Sequence, residues 1–216
     1  KGIFCYNKQT HSLERQETGD SLASQKVTGM CEDNEGNVWL AAGNHITRTT
    51  GNYLQYYRSV ESTDIINVHA VLSDNKDQLW LATGSRLLCF KMGSASGRQR
   101  ISSYNISGTT HHNDITSLYK DEQGFLWIGT MGAGLIRMDI PSGRWRNIDE
   151  DAVVKNGHIL SITGKQKEIW VASLNGISKF DLSESNYQLS PAFAFRNYGK
   201  SDGIGSDYVY NLFADS

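Results

Sequence analysis

Tryptophan recurs along this chain with a period that a single globular core does not require. Trp39, Trp80, Trp127 and Trp170 lie 41, 47 and 43 residues apart. Val38-Trp39-Leu40-Ala41-Ala42, Leu79-Trp80-Leu81-Ala82-Thr83, Leu126-Trp127-Ile128-Gly129-Thr130 and Ile169-Trp170-Val171-Ala172-Ser173 all read apolar, Trp, apolar, small, small. Self-similarity at such a period marks a copied and stacked supersecondary unit. An apolar run this short suits a strand buried on both faces, and the small residue two places after Trp lets a neighbouring sheet approach.

A second shared run precedes each tryptophan: Val27 to Cys31, Val68 to Leu72, Ile115 to Tyr119 and Ile159 to Thr163, with a fifth copy at Val209 to Phe213. Its third position is small in all five (Gly29, Ala70, Ser117, Ser161, Asn211), as expected where inner strands crowd around one axis. The two runs are joined by Asp33-Asn34-Glu35-Gly36 and Asp121-Glu122-Gln123-Gly124, which suit a tight turn closed by a glycine at positive φ. Asp77 takes the glycine place in the second copy, and the copy before Trp170 is one residue shorter, so that hairpin is expected to differ. Third strands follow at Ile46–Arg48, Leu87–Phe90, Leu135–Asp139 and Ile177–Asp181. Outer aromatic strands follow at Tyr53–Tyr57, Ile101–Tyr104, Trp145–Ile148 and Phe193–Tyr198.

Four strands in about 40–50 residues is one propeller blade. The sequence therefore predicts an all-β chain, a β-propeller of four-stranded antiparallel blades. Residues 1–22 end one blade, 23–62, 63–107, 108–150 and 151–200 form four full blades, and 201–216 open the next. An arc of a larger propeller is favoured over a closed five-bladed ring, because no second strand is present for a fifth blade.

Composition narrows the function. A formal net charge of −2 with no basic stripe argues against nucleic acid. No apolar window of about 20 residues is present to span a membrane. Lys1 opens the chain without a signal peptide, which suggests a processed or excised segment. Cys5, Cys31 and Cys89 match no metal or redox spacing; buried core thiols are the simpler reading, with a disulfide to Cys89 left open.

The run Ile115 to Asp139, with Asp121-Glu122-Gln123-Gly124, Leu126-Trp127-Ile128-Gly129-Thr130 and Leu135-Ile136-Arg137, resembles the two-component regulator propeller repeat. Tyr198-Gly199-Lys200-Ser201-Asp202-Gly203-Ile204 is similar to the linker before such repeats. The resemblance implies a seven-bladed parent propeller. It further implies the periplasmic, ligand-sensing part of a hybrid two-component histidine kinase of the Bacteroidetes, responding to a small glycan and acting as a homodimer. No cofactor, no metal and no catalysis are implied within this segment, and membrane attachment would lie in other parts of the parent.

In a propeller, the second-to-third loops share one end with the entries to the first strands, and ligands bind there. That places Asn44, His45, Arg86, His111, His112, Asp114, Met131, His158 and Asn175 as candidate ligand-binding residues. Solvated loop residues are the competing reading for each. His111-His112 lacks a third ligand at a metal spacing. The tryptophans, which could pass for a sugar platform, read as core because they repeat. Arg48, Arg137 and Lys179 recur in register and read as solvated or blade-packing. The alternatives are a protein-interaction scaffold and a propeller glycosidase or lyase. The latter needs two converging carboxylates, and those here fall mostly in hairpin turns.

Overall fold

The structure, a computed structural model, describes residues 3–15, 26–50, 53–57, 59–60, 63–65, 67–74, 78–91, 101–106, 114–148, 157–182 and 194–214. A hairpin of β1 (Phe4–Asn7) and β2 (Ser12–Arg15) comes first. Blade 1 is β3 (Val27–Glu32), β4 (Val38–Ala42), β5 (His45–Thr50) and β6 (Tyr53–Tyr57). A small hairpin, β7 (Ser59–Val60) and β8 (Thr63–Asp64), for which the sequence carried no signal, leads to blade 2: β9 (Val68–Ser73), β10 (Gln78–Thr83), β11 (Arg86–Lys91) and β12 (Ile101–Asn105). Blade 3 is β13 (Ile115–Lys120), β14 (Phe125–Thr130), β15 (Leu135–Asp139) and β16 (Trp145–Asn147). Blade 4 is β17 (Ile159–Lys165), β18 (Glu168–Ser173), β19 (Gly176–Asp181) and β20 (Ala194–Tyr198). Each blade is a four-stranded antiparallel sheet in chain order, and the inner strands β3, β9, β13 and β17 pack each on the next. The architecture is the expected β-propeller.

The tryptophan text is explained by packing between blades. Along a strand, side chains alternate faces. Trp39 packs forward onto Val68, Val71, Leu79, Leu81, Leu88 and Phe90 of blade 2. Trp80 packs with Ile115, Leu126, Ile128, Ile136 and Met138 of blade 3, and Trp127 with Ile159, Ile162, Ile169, Val171 and Phe180 of blade 4. The apolar residues flanking each Trp thus close the gap behind their blade, while Trp closes the gap ahead. Trp170, with no blade ahead of it in the described residues, is only half-buried, stacked on Tyr198 at 5.7 Å.

Close approach at the inner strands requires the small residues. Gly29 stands opposite Ala41, Ala70 opposite Ala82, Ser117 opposite Gly129 and Ser161 opposite Ala172. The register of every first strand slips just before this pair, at Thr28, His69, Thr116 and Leu160. Such a bulge leaves one residue unpaired and bends the strand. Two of those residues reach the next blade: Thr28 Oγ1 donates to the Val68 carbonyl and Thr116 Oγ1 to the Ile159 carbonyl, both at 2.6 Å.

A buried carboxylate fixes each full hairpin. Asp33 Oδ1 accepts the Asn37 N–H at 2.9 Å and Oδ2 accepts the Trp39 indole N–H at 2.8 Å. Asp121 makes the same pair of bonds to Phe125 and Trp127. Gly36 and Gly124 close these turns at φ 77° and 90°, where a side chain is strained. The recurring cations complete the unit. Arg48 stands opposite Trp39, with Nε 3.7 Å from Asp33, and Arg137 opposite Trp127, with Nη2 3.9 Å from Asp121. Their role is therefore blade packing: Arg137 is fully buried, its guanidinium 3.6 Å from the Phe125 ring centroid. In blade 4 the hairpin differs as expected. Lys165 pairs directly with Glu168, Gln166 takes φ 56°, and Lys179 pairs with Glu168 at 2.6 Å. In blade 2 the third-strand place opposite Trp80 holds Cys89, and the Trp80 indole N–H is buried without a partner. The three cysteines are free thiols, and burial pushes Cys31 and Cys89 up to about 12.

Two outcomes follow. A Cβ at Gly129 would fall on Ser117 Oγ and within 2.5 Å of Ile159 Cγ2, so Gly129→Ala should destabilise the chain by about 1–3 kcal/mol in urea unfolding. Burial raises the Asp33 carboxyl, but hydrogen bonds from Trp39, Asn37 and Glu35 outweigh it and hold it below the usual carboxylate range. A depressed folded pKa stabilises above the unfolded value, and that contribution is lost as pH falls through the folded one. Asp33→Asn should thus cost about 1–3 kcal/mol at neutral pH. In melts below about pH 4 its deficit against the parent should shrink progressively.

Candidate functional site

The two ends of the arc differ in chemistry. At the hairpin end, Asp33, Asp74 and Asp121 are buried; their oxygens accept bonds from the turns and, in Asp33 and Asp121, from the indoles of Trp39 and Trp127, and a cation is ion-paired with each at 3.7–3.9 Å. Carboxylates so engaged are held in place as structural acceptors. At the opposite end, main-chain bonds join each second-to-third loop to the entry of the next first strand. Val68 N–H donates to the Gly43 carbonyl at 2.9 Å and Ile115 N–H to Gly84 at 2.8 Å. Gly132 and Gly134 N–H both donate to Gly157, at 2.9 and 3.1 Å. The backbone there is committed to structure, and exposed side chains are left to project from a rigid rim.

Most of the residues expected at this end lie on that rim. Asn44 is exposed at the β4–β5 turn, and its Oδ1 accepts the Asn67 N–H at 3.1 Å. Arg86 opens β11, exposed, with Nη2 3.3 Å from Ser103 Oγ. Asp114 is exposed across the same junction, and its carbonyl accepts the Met131 N–H at 2.8 Å. Met131, itself exposed, forms an antiparallel bridge with His158, whose Nδ1 is buried without a hydrogen-bond partner. Asn175 is exposed at the β18–β19 turn, its N–H donating to Ser173 Oγ at 3.0 Å. The structure thus sets Arg86 and Asp114 on either side of the junction of blades 2 and 3, which the Ile115–Gly84 bond closes, and bridges Met131 to His158 at that of blades 3 and 4.

His45 departs from the expectation of an open loop residue. As the first residue of β5 it is buried, its ring 6.0 Å from Tyr56, because the turn occupies only Gly43 and Asn44. His111 and His112 lie outside the described residues.

Asn67, a polar residue of the loop before β9, holds φ 49° with its N–H on Asn44 Oδ1, a left-handed backbone that sequence reading did not assign. An Asn directly before a first strand is the available signal, since Asn tolerates the left-handed region. The segment from Asp207 to Phe213 carries the fifth copy of the first-strand run, expected to open the next blade. This runs extended beside β17, with Gly176 N–H donating to the Asp207 carbonyl at 2.6 Å, Leu212 N–H to Ser161 Oγ at 3.1 Å, and Ser161 Oγ 3.0 Å from Asn211 Oδ1. It has the place of a first strand but forms no ladder, since among the described residues no second strand of its own blade follows it. Tyr210 and Phe213 are left exposed on it.

Comparison with known proteins agrees with this architecture. Residues 21–44 and 111–132, which carry Trp39 and Trp127, match the two component regulator propeller family. Among solved structures, the chain resembles the extracellular domain of a B. thetaiotaomicron protein described as a hybrid two component system. The TM-score is 0.65 at 18% identity, over 89% of this chain and 27% of that one. It also resembles the β-propeller domain of Myceliophteria thermophila Cps50 (TM-score 0.63, 14% identity, 88% of this chain and 60% of that one). A third likeness is to Staphylococcus aureus virginiamycin B lyase (TM-score 0.59, 14% identity, 82% and 57%). The chain spans about a quarter of the length of the first of these. At such identities the likenesses establish the propeller fold. No curated protein matches the chain in sequence.

Asn44→Ala should cost about 1 kcal/mol in urea unfolding, because it strips an acceptor from the Asn67 N–H. Arg86→Ala, which removes one long exposed bond, should stay within about 0.5 kcal/mol of the parent.

Proposed function

We propose, from the premise of the two matched propeller repeats, that this chain is the ligand-sensing part of a two-component signalling protein, exposed outside the cytoplasm and recognising a glycan. The observation that carries the reading is the rim of exposed Asn44, Arg86, Asp114 and Asn175 on blade junctions already fastened by main-chain bonds. Planar amide, guanidinium and carboxylate groups suit sugar hydroxyls, and a fixed scaffold lowers the entropy lost on binding. The extracellular domain from B. thetaiotaomicron, with its similar fold, supports the placement outside the cell. Among the described residues no helix is long and apolar enough to cross a membrane. A periplasmic homodimer of a histidine kinase is the setting this reading implies. The glycan then signals only if it binds one arrangement of the pair better than the other.

A second reading, protein recognition along the outer rim, is favoured by Trp145 and Phe195. They stand at equivalent places of β16 and β20, 37% and 45% exposed. Titration calorimetry of the chain against a panel of plant and host oligosaccharides separates the two. The sensor reading expects heat from at least one sugar and a loss of about tenfold or more in affinity in Arg86→Ala or Asp114→Ala. Silence against the whole panel would overturn it, and so would binding that survives both changes but is lost in Trp145→Ser.

A further inference from the structure

The blades are not joined alike. Between blades 1 and 2 the Thr28 hydroxyl crosses to the Val68 carbonyl, and between blades 3 and 4 the Thr116 hydroxyl crosses to Ile159. The same bulge in blade 2 carries His69, which has no hydroxyl to send to blade 3. Blade 2 also departs from its neighbours at the hairpin end. Blades 1, 3 and 4 set a cation of their own third strand (Arg48, Arg137 or Lys179) beside the hairpin carboxylate, whereas blade 2 has Cys89 there. The cation that reaches Asp74 comes instead from the next blade. Lys120, at the end of β13, donates from Nζ to the Asp74 carbonyl at 2.6 Å, with Asp74 Oδ2 at 3.9 Å. The Lys120 side chain is 18% exposed and that of Asp74 only 1%.

We propose that Lys120 is an ionic latch between blades 2 and 3, and that the arc is built as two hydroxyl-stapled pairs of blades, with this charge reinforcing the Trp80 packing and the Ile115–Gly84 bond where the pairs meet. A charged group bonded to a buried carbonyl beside a buried carboxylate is among the stronger polar contacts. Removing the ammonium therefore loosens one junction and spares the others. Arg86 and Asp114 flank the far end of that junction, beside the Ile115–Gly84 bond, so the latch bears on the spacing of two candidate ligand residues without touching them.

Three main-chain amides report the three junctions separately. Ile115 N–H bonds to Gly84 between blades 2 and 3, Val68 N–H to Gly43 between 1 and 2, and Gly132 N–H to Gly157 between 3 and 4. Hydrogen exchange of the chain read at these amides should show Ile115 accelerated about tenfold or more in Lys120→Met, and Val68 and Gly132 unchanged. Lys120→Arg should restore Ile115, and Thr116→Val should move the effect to Gly132. An unchanged Ile115 amide overturns the latch, as does equal acceleration at all three. Should Lys120→Met fail to fold, the parent chain supplies the test: raising salt from about 0.05 to about 1 M should speed exchange at Ile115 alone, and a uniform response overturns the proposal. These readouts involve no glycan, so they stand or fall apart from the sensing function.

Discussion

Each blade finishes its core only against the next one, and the rest of the structure follows from that dependence. A four-stranded sheet of this size has two apolar faces and cannot bury either alone. The tryptophan faces forward and its flanking Leu, Ile or Val residues face back, so one five-residue text contributes to two interfaces. The half-burial of Trp170 is the counterpart of full burial at Trp80 and Trp127. The spacing between inner strands is then fixed by the smallest residues. Gly129 opposite Ser117 leaves Ile159 of the next blade room to enter, and a methyl group there would collide with it.

The hairpin aspartate ties local chain reversal to that long-range packing. One oxygen of Asp121 closes the turn and the other holds the indole six residues on, so the rotamer of Trp127 is held by a group of its own blade. Burying a carboxylate is costly unless it is bonded, and here the indole, the turn N–H and a cation share it. The unit tolerates substitution of its parts. Blade 4 exchanges Asp and Arg for Glu168 and Lys179 on a shorter turn, and blade 2 draws its cation from across the gap. Blade 2 also leaves the Trp80 N–H unbonded, where blades 1 and 3 satisfy theirs.

The period, the strands and the turns could be read from residue order because they depend on local chemistry. Tyr53–Tyr57 and Leu135–Asp139 fall where alternation and aromatics put them, and Gly36 and Gly124 take the positive φ that their Asp-x-x-Gly setting required. The features that escaped depend on partners distant in sequence. The slip at Thr28 and Thr116 leaves no local mark, since Thr suits an ordinary strand equally well; its purpose is visible only in the carbonyl 40 or 43 residues on. His45 read as a loop residue because one residue separates a two-residue turn from a three-residue one. Arg137 illustrates a related limit: charge suggests exposure, and only the rings of Phe125 and Trp127 with Asp121 explain full burial.

The inequality of the two ends bears most directly on function. At the hairpin end the repeat uses its polar groups to build itself, so variation there is paid in stability. At the loop end the polar main chain is already joined from blade to blade, so side chains such as Arg86, Asp114 and Asn175 contribute little to the fold and are free to differ between copies. They do differ. Arg86 and Met131 occupy or adjoin turns equivalent to those of Asn44 and Asn175, so three chemistries (amide, guanidinium and thioether) serve four blades, whereas the hairpins repeat Asp33, Asp74 and Asp121. A surface whose members diverge around a scaffold whose members repeat is what a recognition site on a propeller requires, because a ligand near the axis must distinguish one blade from the next.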